Sequence, residues 1–202
     1  MSTPADARIV RTRTALRQAM TELAELSPLD AITVRAIAAR AGVGYATFFR
    51  HYADKDALLA DVAEVLTRQF LQQVRPLLVQ QDRRAAARSL CGFVLEHLAI
   101  HQALIAGGSG ESVRAGMLRH TMDTLAAARV RETEGPIDDL VRFHLVSATL
   151  NLLAWWLRNL ERVDADTMAE IIERTVLTPV SALRQSPPLA LDHDGRKQVP
   201  EK

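Results

Sequence analysis

Residues 32 to 59 read Ile32-Thr33-Val34-Arg35-Ala36-Ile37-Ala38-Ala39-Arg40-Ala41-Gly42-Val43-Gly44-Tyr45-Ala46-Thr47-Phe48-Phe49-Arg50-His51-Tyr52-Ala53-Asp54-Lys55-Asp56-Ala57-Leu58-Leu59. Val34, Ile37, Ala38 and Ala41 recur at helical spacing, and Thr33 stands where a hydroxyl caps the exposed amides of a first turn. Gly42 follows the last periodic residue. It accepts the left-handed backbone that closes a helix, and Val43 then plugs the corner. Gly44 opens a second helix, capping it less well than serine would. That helix, from Tyr45 to about Tyr52, sets Phe48 and Tyr52 four residues apart on one face and turns Thr47, Arg50 and His51 elsewhere. Asp54 is placed to cap a third helix beginning at Lys55.

Two short helices joined by a tight glycine turn, the second starting with an aromatic residue and hydrogen-bonding groups, make a helix-turn-helix. In that unit the second helix lies in the DNA major groove. The run from Thr33 through Ala41-Gly42-Val43 to Thr47-Phe48-Phe49-Arg50-His51-Tyr52 and Asp54-Lys55-Asp56-Ala57-Leu58-Leu59 resembles the DNA-binding domain of TetR family transcriptional regulators (TetR/AcrR-like), over about a quarter of the chain. The resemblance implies that Arg35, Tyr45 and Ala46 face bases, and that Thr33, Thr47, Phe49, His51 and Lys55 approach or contact phosphates. Phe49 departs from the tyrosine usual in the family, so it has no hydroxyl to give a phosphate. The resemblance also implies a homodimer held by its last two helices and a small-molecule pocket in the C-terminal domain.

A chain of 202 residues with 48% apolar composition buries a sizeable core as one domain or two small ones. Its only cysteine, Cys91, excludes an internal disulfide and fits a reducing compartment. Residues 1 to 25 carry charges throughout and show no apolar signal-peptide core, so a cytoplasmic location is expected. Net charge is only +1, but Arg8, Arg11, Arg13 and Arg17 fall within ten acid-free residues. Beside the helix-turn-helix they read as a basic arm that follows the phosphate backbone or the minor groove.

The remainder reads as helix with short breaks, giving an all-α fold. Residues 1 to 53 form a three-helix DNA-binding domain after a loose tail of about eight residues, and 54 to 74 a connecting helix. Residues 75 to 185 form a helical ligand-binding and dimerisation domain, and 186 to 202 a disordered tail rich in Pro, Asp, Gly and Lys. The first helix is expected from Val10 to Leu26 on a stripe of Leu16, Ala19, Met20, Leu23 and Leu26. Beyond Pro76, helices are expected at 75–81, 83–104, 111–131, 138–161 and 166–184, the last bent at Pro179. Leu145 to Leu157 is apolar on nearly every side and too short to span a bilayer, so it needs cover from a second subunit as well as from its own domain.

Phe93, His97, Met117, Met122, Phe143, Asn151 and Trp155 are the candidate ligand-binding residues, a set with aromatic walls and a few polar groups. Trp155 and Trp156 face different ways, so at most one lines a pocket. His97 and His101 have a two-ligand metal spacing, but no third ligand joins them and no metal or cofactor is expected. Cys91 reads as inert core. No nucleophile elbow, paired carboxylates or dinucleotide fingerprint appears, so the protein is not expected to be an enzyme. The expected function is a homodimeric repressor released from a palindromic double-stranded operator by a small-molecule effector, with no membrane partner. The alternative is a helix-turn-helix regulator without such an inducer, acting as a constitutive repressor, an activator or a partner-controlled factor.

Overall fold

The computed structural model describes residues 4–106, 115, 116, 118, 119, 121–124 and 136–185; most of these are helical and none is in a strand. The first helix, α1, spans Pro4–Leu26 and starts six residues earlier than the apolar stripe indicates. Proline is well placed in a first turn, where its missing N–H costs no helical bond. Residues 4 to 8, expected in a loose tail, are thus helical. Leu16, Ala19 and Met20 point inward with exposures of 0–2%, whereas Leu26 is 71% exposed and falls off the stripe.

A short 3-10 turn, Leu29–Ala31, leads into α2, Val34–Arg40. Thr33 Oγ1 accepts the Ala36 N–H at 3.2 Å, as the capping position requires. At the other end the Gly42 N–H donates to Ala39 O at 3.1 Å and the Val43 N–H to Ala38 O at 2.9 Å, with Gly42 at φ +67°. Those two bonds satisfy carbonyls that the helix leaves open and turn the chain into α3, Tyr45–His51. A Cβ added at Gly42 meets nothing within 4 Å, so only backbone strain opposes it. Gly42→Ala is therefore expected to lower stability by about 1–2 kcal/mol, read from urea unfolding, without altering packing.

Asp54 accepts the Ala57 N–H at 2.7 Å and starts α4, Lys55–Val79. Its buried stripe is Leu58, Leu59, Val62, Leu66 and Val74. The expected stop after Val74 does not occur: the helix runs through Pro76, which sits exposed in its last turn and forfeits a single backbone bond there. Asp82 caps α5, Arg83–Glu96. The expected helix 83–104 breaks at His97 (φ −119°, ψ 43°), giving α6, Leu98–His101, and a π turn, Gln102–Ala106.

In the expected 111–131 helix every described position is helical; the glycine-rich break at 107–110, the break at 132–135 and the tail 186–202 lie outside the described residues. Helix α7, Pro136–Leu157, ends four residues sooner than expected, because Trp156 Nε1 donates to Val163 O at 2.7 Å and closes the following turn. The last expected helix is α8, Ala165–Ile172, and α9, Thr178–Gln185, with a π turn, Glu173–Leu177, placing the distortion just before Pro179.

One contiguous core runs from Leu16, Ile37 and Phe48 through Leu59, Val62 and Leu66 to Val94, Ile100, Trp156 and Ile172. Helix α4 belongs to both ends of it, and α6 packs on α1, so both join the N-terminal head to the body. Cys91 is buried in this core; burial foremost, with the Asp166 charge, pushes its thiol up to about 12 and keeps it protonated. Taken with the residues before Leu145, Asp138–Leu157 reaches the length and apolarity of a membrane span. Its outward side nevertheless carries His144 and Asn151, polar groups that a lipid-facing side rarely holds.

Candidate nucleic-acid interface

The helix-turn-helix presents one coherent outer surface. Phe48 and Tyr52 face inward at 0% and 5% exposure, which turns Tyr45, Ala46, Phe49 and Arg50 to solvent. Tyr45 and Phe49 meet edge to face with centroids 5.1 Å apart, and Phe49 leans on Phe48 at 5.3 Å. Arg35, exposed on α2, holds its guanidinium 6.0 Å from the centre of the Tyr45 ring. The three expected base-facing residues, Arg35, Tyr45 and Ala46, therefore share this surface. Thr33 is exposed at its edge, while Thr47 and His51 are half-buried. The Thr33 oxygen already accepts an amide, and its hydroxyl proton is free to donate.

Lys55 has a second occupation that the resemblance did not convey. Its Nζ donates to Leu29 O at 2.7 Å and Ile32 O at 3.2 Å, tying the start of α4 to the turn that launches α2. Two of its three N–H bonds are used, which leaves one for a phosphate. Lys55→Met should accordingly lower stability by about 2 kcal/mol as well as weaken DNA binding on all sequences alike. Paired urea and salt titrations check this; unchanged stability would deny the clamp.

The basic arm divides. Arg8 and Arg11 are exposed on α1, but Arg13 and Arg17 turn inward to Asp61 on α4. Arg17 Nη1 reaches Asp61 Oδ2 at 3.0 Å and Arg13 Nη2 reaches it at 3.3 Å. Tyr52 joins them: its hydroxyl donates to Asp61 and accepts from Arg13 Nε at 3.3 Å. Burial alone would raise the Asp61 pKa, but the bonds from Tyr52 and Arg17 and the two guanidinium charges prevail and hold it below the usual aspartate range. Burial, together with the bond to Asp61, pushes the Tyr52 phenol up. This hub joins α1, the end of α3 and α4, the three elements that aim the recognition surface. Only an acid beside the Leu58 and Val62 stripe, with arginines on the helix it packs against, marked it in the sequence.

Residues 16–62 match the family described as bacterial regulatory proteins, tetR family. The fold is similar to that of a TetR transcriptional regulator from Rhodococcus sp. RHA1, with a TM-score of 0.64 and 18% identity over 83% of this chain and 94% of that one. The family match covers the helix-turn-helix head, and the likeness to solved TetR regulators extends the shared fold over the body. Fold similarity extends to Thermus thermophilus FadR, a TetR family transcriptional repressor in complex with lauroyl-CoA (TM-score 0.59, 20% identity, 91% of this chain and 100% of that one). It also extends to FadR from Bacillus halodurans, a fatty acid degradation regulator (TM-score 0.55, 15% identity, 88% of this chain and 96% of that one). No curated protein sequence matches the chain.

Within the body the expected ligand residues fall into separate groups rather than one site. Phe93 is buried, with its ring 5.2 Å from His97, 5.6 Å from His101 and 5.7 Å from Phe70 of α4. Met122 is half-buried against the same core, and Met117 lies outside the described residues. Phe143, Asn151 and Trp155 lie on the opposite, outward side of α7, because Val146, Leu150, Leu153, Trp156 and Leu157 take the inward one. An almost uniformly apolar helix does not declare which side is inner. His101 Nδ1 lies 3.0 Å from His97 O and 3.2 Å from Val94 O, so that nitrogen is engaged by backbone. A half-open cleft of about 270 Å³ lies between head and body, lined by Arg13, Ala57, Ala60, Asp61, Ala63, Glu64 and Gly116, and none of the six expected residues that are described lines it.

Proposed function

We propose that this regulator is a homodimeric, cytoplasmic repressor that holds a two-fold symmetric operator and releases it when a small molecule binds its body. The observation that carries the reading is the outer face of α2 and α3, where Arg35, Tyr45 and Phe49 form an exposed cluster on a helix-turn-helix braced from behind by Phe48 and by the Arg13, Tyr52 and Asp61 hub. Arg35, Tyr45 and Ala46 read bases; Thr33, Thr47, His51 and the remaining Lys55 N–H position the phosphates, with Phe49 supporting Tyr45. Two heads require two chains. Leu140, Phe143 and Trp155 on α7, exposed by 65%, 50% and 42%, and Leu183 on α9, by 39%, supply an apolar surface suited to a second copy.

Residues 1–53 act as the head, 54–74 as the connecting helix and 75–185 as the regulatory and dimerisation domain. The effector reading draws support from the lauroyl-CoA bound to the Thermus thermophilus relative and from the Phe70, Phe93 and His97 cluster, where α4 meets the body. An effector shifts the equilibrium only by its difference in affinity between the DNA-competent and released states. Helix α4 carries that difference, since Phe70 faces the body while Lys55 and Asp61 grip the head. No catalytic step belongs to this function. A salt-dependent titration against duplex DNA flanking the protein's own coding sequence tests it. Tight, sequence-selective binding with two-fold symmetric protection is expected. Weak binding, equal on random DNA and lost between about 50 and 200 mM salt, would leave only non-specific phosphate contact and overturn the reading at that site.

A further inference from the structure

We infer that the recognition surface reads thymine through its C5 methyl group, with the Tyr45 ring as the contact and Phe49 as its positioning residue. The inference rests on the DNA-binding reading above and adds the base that the surface selects.

Tyr45 and Phe49 are 53% and 46% exposed, a large share of aromatic surface for a seven-residue helix to leave in water. The rings are ordered as a stack that climbs from the core. Phe48, fully buried, supports Phe49 at 5.3 Å and 75°, and Phe49 supports Tyr45 at 5.1 Å and 69°. Arg35 flanks Tyr45 on the side of α2. Tyr45 is thus braced on two sides, and a braced ring presents a fixed apolar surface at low entropic cost.

Among the major-groove edges of the four bases, only thymine offers an apolar group, its C5 methyl; the others present donors and acceptors that an aromatic ring leaves unpaired. The neighbouring guanidinium suits the O6 and N7 acceptors of guanine. Together Arg35 and Tyr45 fit a step in which a guanine adjoins a thymine. Phe49 has no hydroxyl to divert it towards a phosphate, which leaves it free to brace Tyr45.

The test starts by selecting an operator from a random duplex pool with the full-length protein. Each thymine of that operator is then replaced singly by uracil, which removes the methyl and nothing else, and affinities are read by fluorescence anisotropy. Uracil at one thymine per half-site is expected to weaken binding about fourfold, the worth of one buried methyl-sized group. Tyr45→Phe should keep that sensitivity and Tyr45→Ser should lose it. Phe49→Ala should diminish it while leaving the salt dependence unchanged, a pattern that general loss of structure would not give. An operator that binds tightly and tolerates uracil at every position overturns the methyl reading and leaves the DNA-binding reading standing. A pool from which no sequence is enriched overturns both.

Discussion

Glutamate at both Phe143 and Trp155 is expected to convert the protein into a monomer with intact helices and operator affinity lowered by more than about a hundredfold. In a single chain the two rings are 50% and 42% exposed, so replacing them removes little internal packing. Across a two-fold axis the same side chains are presented twice, and four carboxylates would have to be dehydrated next to their own copies. Each such burial without a partner costs several kcal/mol, more than an interface of this kind can absorb. The effect on DNA then follows from geometry: one head binds one half-site, and the second loses the effective concentration that tethering provides. Sedimentation at micromolar concentration gives the assembly state, and anisotropy on full and half operators gives the affinities. A double variant that remains dimeric would move the interface away from α7. A monomer that binds the full operator undiminished would deny the need for two heads.

The head was legible because its signals are local. Thr33, Gly42 and Asp54 each act within a few residues of themselves, and the Schellman-type bonds at Gly42 and Val43 are what a glycine after an apolar period foretells. The hub was not legible as such, since Arg17 and Asp61 are 44 positions apart and the acid-free run around Arg13 gives no hint of an acid arriving from α4. The basic arm was therefore read whole where the fold divides it. Helix α7 failed for a different reason. With apolar residues all round, its period carries no direction, and Phe143, Asn151 and Trp155 were assigned to a pocket although they look outward. The break at His97 has no glycine or proline to announce it, whereas Pro76, which does announce a break, lies close enough to the helix end to be carried through.

Acidification supplies the second large effect, and His101 is its source. The ring is 3% exposed; burial pushes its pKa down to about 4, against the pull of Val94 and His97 carbonyls and with the His97 charge adding to the depression. In the unfolded chain the same group titrates near its ordinary 6.5. Between those values the unfolded chain holds a proton that the folded chain does not, so stability begins to fall as pH drops below about 6.5 and the loss is complete below about 4. From about pH 7 to about pH 4.5 the expected loss is about 2–3 kcal/mol. Asp61 does not blur this window. Its folded pKa is lowered as well, so its contribution disappears only as pH falls below the ordinary aspartate value of 3.8 and through the lower folded one. His101→Gln removes the titration: the variant should be less stable than the parent at neutral pH, through loss of the buried ring, and the gap should close on acidification. Urea midpoints at both pH values and one fixed protein concentration decide it, since any dimer makes stability depend on concentration. Parallel pH profiles for the two proteins would mean that His101 ionises in the folded state as readily as in the unfolded one.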